Sequence, residues 1–153
     1  MNASAFSPEM FLDMELNEPT ERRAPLPIGD YTAVIGDVKA RPWQGKADPT
    51  KTGIAWDVPL TVDVPAEFQS ELGLPATLQF KDSVMLDLTD NGNIDNSKGK
   101  NRQLRAYRDA LDMNKVGDSF SARKMVGGIV KVKVGHELYQ ENIVERINGV
   151  AKA

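Results

Sequence analysis

Ten basic residues crowd between Lys98 and Lys133, against only three acids, Asp109, Asp112 and Asp118. That segment carries +7 in a chain whose net charge is -3. Gathered on one face, such a block attracts phosphates; scattered in space, it merely solvates the surface. A second group, Arg41, Trp43, Lys46 and Lys51, falls within residues 41–52. Cations that meet phosphates and flat rings that meet unstacked bases are what a single nucleic-acid strand requires, one stack contributing about 1–3 kcal/mol. Lys131 and Lys133 alternate with valines late in the chain, and Tyr139 follows beside His136. Each of these residues has a structural alternative. Trp43 caps the end of a sheet if it does not stack, Tyr139 is otherwise a turn tyrosine, and Arg102, Arg105 and Arg108 solvate the outside of a helix. Trp56 and Tyr107 fall on apolar faces and read as core.

Other chemistries find little support. The chain has no cysteine and a single histidine, His136, so thiol nucleophiles, thiolate metal sites and histidine triads have no material. The run Asp87 to Asp95 partly imitates a calcium loop, with Gly92 at the sixth position. Thr89, however, occupies its third position and Lys98 its twelfth, where a bidentate glutamate is wanted, so a tight turn is the better reading. Gly99-Lys100 lacks the upstream glycine of a phosphate-binding loop, since Ile94 stands there. No two carboxylates stand out as an acid and base. We expect no catalysis, no metal and no cofactor.

The elements that must position these groups follow from period and punctuation. Residues 1–24 carry five acids and two bases and read as an N-terminal arm. Ser7-Pro8 starts a short helix bearing Met10, Phe11 and Met14, and Pro19 stops it. A helix this short does not stand alone: it docks on its own domain, packs on a second copy in a homo-oligomer through the arm, or stays disordered, and docking or oligomer contact is the favoured expectation. Pro25 and Pro27 suggest an extended linker. Residues 25–153 are expected to form one domain, with strands over 30–40, 54–63 and 77–88. A loop is expected over 41–52, and Pro59 should mark an edge or a bulge. A helix over 101–113 presents Leu104, Tyr107 and Leu111. Strands over 129–135 and 142–150 close the chain, separated by a loop over 136–141. No apolar run approaches the roughly 20 residues of a bilayer span, and the arm lacks a basic segment followed by an apolar one. An intracellular protein is expected.

Three strands, one helix, then two strands is the order of the OB-fold, a five-stranded Greek-key barrel with its helix between strands three and four. The sequence also resembles phage-encoded proteins related to single-stranded DNA-binding proteins. The resemblance rests on Pro27-Ile28-Gly29-Asp30-Tyr31, on Leu104 to Leu111, and on Phe120-Ser121-Ala122-Arg123-Lys124. It implies a mainly β, closed OB-like barrel working in the host cytoplasm. It also implies sequence-independent binding of single-stranded DNA in phage replication or recombination. Phosphates would then meet Arg41, Lys46, Lys51, Lys131 and Lys133, and bases would meet Trp43 and Tyr139. The rival class is a structural or protein-interaction component of phage assembly, favoured by the overall acidity and the amphipathic arm.

Overall fold

A computed structural model describes residues 7–153. Its framework is β3 (Thr52–Asp63), whose Trp56, Val58, Leu60 and Val62 point into the core. One edge of β3 pairs with β4 (Thr77–Met85) along residues 55–63. The other edge is shared. β1 (Gly29–Ile35) pairs with its C-terminal end, and β2 (Lys39–Gln44) with its N-terminal half. β1 continues the sheet to β5 (Ile129–Tyr139), and β5 to β6 (Asn142–Lys152), every pairing being antiparallel. The mainly β expectation therefore holds among the described residues, with six strands in one sheet rather than five.

The extra strand corrects the loop expected over 41–52. Ile35 stands opposite Leu60 and Lys39 opposite Asp57, so residues 36–38 face only residues 58–59. This irregularity bends the chain out of one ladder and into the next. Pro59 sits at the bend. Its carbonyl accepts the Gly36 N–H at 2.9 Å, so its missing N–H falls where the neighbouring strand is interrupted. A proline thereby sits inside a strand paired on both sides.

The closed barrel is also corrected. The edges β4 and β6 do not pair, and α2 (Arg102–Ala110) packs between them. It buries Leu104, Tyr107 and Ala110, and the Tyr107 hydroxyl donates to Asp82 Oδ2 on β4 at 2.7 Å. A helix inserted at that seam occupies the space in which the two edges would otherwise meet. α2 ends earlier than expected, because Asp112 takes a positive φ of 58°. A second helix, α1 (Ala66–Leu72), forms the link between β3 and β4 and stops at Gly73, whose φ is 67°.

The loop expected over 136–141 shrinks to two residues. β5 runs on to Tyr139, and Gln140 and Glu141 turn the chain with φ of 49° and 66°, the signature of a tight hairpin turn. The extended end of this hairpin holds the segment before β1. Leu26 is fully buried, its N–H donates to Glu145 Oε2 at 3.0 Å, and its carbonyl lies 2.7 Å from His136 Nε2. Arg23 pairs with the same Glu145 oxygen at 2.7 Å. Residues 7–22 contain one 3-10 turn, Pro8–Leu12, with no buried residue, and Met10, Leu12, Met14 and Leu16 are exposed. Residues 1–6 of the expected arm lie outside the described residues.

Candidate nucleic-acid interface

Alternation along the strands sorts the expected residues onto faces. Arg41 stands opposite Ala55 and Trp43 opposite Gly53, on the side of β3 turned away from the core. Thr61 shares that side and stands opposite Val34, and the neighbouring Thr32 stands opposite Lys131. Asp30 and Lys133 form the next pair. Arg41, Trp43, Lys131 and Lys133 thus share the outer face of the sheet. They form two groups, because the stretch from Ala55 to Thr61 is about 20 Å of strand.

In the first group, Arg41 is already partnered. Its Nε donates to Asp57 Oδ2 at 2.8 Å, and Ser83 donates to the other carboxylate oxygen at 2.9 Å. Partial burial alone would raise the Asp57 pKa. The Ser83 hydroxyl and the Arg41 guanidinium outweigh it and hold the carboxyl below its ordinary range. Arg41 therefore braces three strands, and its charge is largely balanced. Trp43 lies flat on the backbone of Gly53, where an added Cβ would meet Nε1 at 2.6 Å. The indole N–H is buried without a hydrogen-bond partner among the described residues. An open groove of about 740 Å³ adjoins Trp43 and Gly53, and its Gln44, Thr52 and Ile54 alternate onto the side of the sheet opposite the ring. Lys46 and Lys51 are exposed in the β2–β3 turn, which is ordered by Asp48 accepting from Thr50 N and Oγ1 and by Gly45 N–H donating to the Lys51 carbonyl.

In the second group, Lys131 and Lys133 flank a hollow of about 290 Å³ that reaches Asn148 to Ala151 on β6. A register shift there places Lys133 opposite Gly149 and Val134 opposite Ile147, leaving Asn148 as the extra residue. Tyr139 is not brought to either group. It is exposed at the hairpin tip, beyond Val134, where β1 stops pairing with β5. Sequence reasoning missed Lys39 and Lys81, both exposed on the same outer face, opposite Asp57 and Pro59. The alternation counted outward from the core residues of each strand contains them.

The basic block divides. Lys131 and Lys133 go to the sheet, while Lys98, Lys100, Arg102, Arg105 and Arg108 line a cavity of about 420 Å³ beside the start of α2. Among the described residues, no group of three or more His, Asp or Glu is placed to hold a metal ion. In the former calcium-loop candidate, Asp87 and Asp95 instead hold Asn101 and Ser97. Compared with known proteins, the chain matches no protein-family model and no curated protein.

Proposed function

We propose that this protein binds single-stranded DNA, without sequence preference and without catalysis, across the outer face of its sheet. One observation carries the reading. Lys46, Lys51, Lys131 and Lys133 share that face or its rim with Trp43, and among the described residues none of the four makes an ion pair. Unpaired lysines are free to replace the counterions of phosphates, and an indole with one face on Gly53 has the other for a base. The connectivity supports the same reading. Taking β1 and β2 as one strand interrupted at residues 36–38, the order becomes that of an OB-like barrel, with the helix occupying the seam between third and fifth strands. The setting is the phage replication or recombination that the resemblance implies, in the host cytoplasm. Among the described residues no helix is long and apolar enough to cross a membrane.

Tryptophan fluorescence titration with oligo-dT at several salt concentrations tests the reading. Binding should weaken with salt, and each lysine removed should reduce the slope by about 0.7 if it neutralises one phosphate. Absence of binding at low salt, or an unchanged slope when all four lysines are replaced by alanine, would overturn it. A second reading, an assembly component that contacts protein, is favoured by the exposed Met10, Leu12, Met14 and Leu16 of the arm. It predicts self-association or partner binding that is lost when residues 1–22 are deleted.

A further inference from the structure

The cavity lined by the basic block has a neighbour. A second cavity of about 410 Å³ is walled by Trp56, Ile94, Phe120 and Ala122, and it shares Asn96, Leu104 and Arg108 with the first. The two cavities thus adjoin, one half of the pair cationic and the other apolar and aromatic. The cationic half contains no acid in its lining. Of its five cations, only Arg105 has an ion pair among the described residues, a 3.4 Å contact with Asp109 on the exposed side of α2. Asp118 lies on the rim of the apolar half, where it accepts from the Lys115 backbone N–H at 2.7 Å.

Arg108 stands at the junction. Its Nε donates to the Met113 carbonyl at 3.0 Å, and its guanidinium lies 4.8 Å from the centre of the Phe120 ring. These contacts fix the planar group, while its terminal nitrogens have no hydrogen-bond partner among the described residues. A fixed guanidinium with free terminal donors suits a phosphate oxygen. The groove is also built rather than incidental. Asn101, only 6% exposed, donates to the Asp87 and Asp95 carbonyls at 2.9 and 2.8 Å and accepts from Asp87 N–H at 2.8 Å. That staple holds the segment carrying Lys98 and Lys100 against the start of α2.

From this juxtaposition we infer a nucleotide-binding site, the base entering the apolar half beside Trp56 and Phe120 and the phosphate entering the cationic half at Arg108, Lys98 and Arg102. Each cavity alone falls in the usual range of about 300–1,000 Å³ for small-molecule sites. The site is separate from the outer sheet face, so it does not rest on the single-strand reading. The same chemistry arrives either as a free nucleotide or as one unit of a bound strand.

The test uses the full chain carrying Trp43→Phe, so that Trp56 reports alone. Adenosine monophosphate, adenosine, inorganic phosphate and a short oligo-dT are titrated in turn. Saturable quenching by the monophosphate, with adenosine and phosphate each at least about tenfold weaker, is expected for a free-nucleotide site. Quenching by oligo-dT alone assigns the site to a strand unit. In either case Lys98→Ala with Arg102→Ala, two exposed and unpaired residues, should weaken binding about tenfold while leaving circular dichroism unchanged. Arg108→Lys should weaken it similarly, by removing the planar fork. The inference is overturned if neither probe saturates up to millimolar concentration, if these variants bind as the parent does, or if poly-glutamate competes equally well. Lys131→Ala with Lys133→Ala separates the two surfaces, since it should spare Trp56 quenching by the mononucleotide.

Discussion

Replacing Gly53 by alanine isolates the placement of Trp43. A Cβ built at Gly53 would lie 2.6 Å from Trp43 Nε1 and 2.8 Å from both Cε2 and Cζ2. Carbon contacts rest at about 3.5–4.0 Å, so the indole must lift by about 1 Å or swing outward. The backbone at Gly53 is not in the left-handed region, so alanine brings no backbone strain of its own. Overpacking costs about 1–3 kcal/mol. Loss of glycine freedom in the unfolded chain offsets about 0.4–1 kcal/mol. The lifted N–H also regains water, which lessens the cost further. A net loss of about 1 kcal/mol is expected, read by urea denaturation. In a Trp56→Phe background, the remaining emission should shift to the red as the ring leaves its seat. A Gly53→Ala protein as stable as its parent, with unshifted emission, would refute the packing described for Trp43. It would also remove the reason for giving that ring only one face for a base.

Two further outcomes concern the docked N-terminal segment and the seam. Burial alone would raise the Glu145 pKa, but Arg23 and the Leu26 N–H outweigh it and hold the carboxyl below its ordinary range. Its contribution is therefore present near neutrality and lost as pH falls through the folded pKa. Glu145→Gln should cost about 1–3 kcal/mol at pH 7 and progressively less in acid. A pH-independent difference in urea midpoints would contradict the assignment. At the seam, burial raises the Asp82 pKa despite the bond from Tyr107, so its contribution is full in acid and lost as pH rises through the folded pKa. Tyr107→Phe should cost about 1–3 kcal/mol at pH 7 and less where Asp82 is protonated, and equal stability at pH 7 would show the bond to be dispensable.

Much of this architecture was legible in the residues themselves. Alternation in β3 marked Trp56, Val58, Leu60 and Val62 as core, and the stripe on α2 marked Leu104 and Tyr107. Pro59 announced an edge or a bulge, and the structure places it at the irregularity. Those signals are local, because the side-chain period of a strand or helix is set by its own backbone geometry. What stayed hidden depends on partners distant in sequence. β2 read as a loop because proline and glycine punctuate it, and pairing with residues 52–57 overrides that local preference. Tyr139 read as a base-stacking residue of the last loop, but hairpin pairing carries it past the end of β1.

The charges followed the same division. Composition alone established an acidic chain with a concentrated basic block and no thiol chemistry. It could not assign Arg41 to Asp57, 16 positions away, nor divide the block between the sheet and the groove beside α2. Charge is additive along a chain, whereas its use depends on which groups the fold brings within hydrogen-bonding distance. That distance is a property of the register and of the helix seated between β4 and β6, so only the tertiary structure decided it.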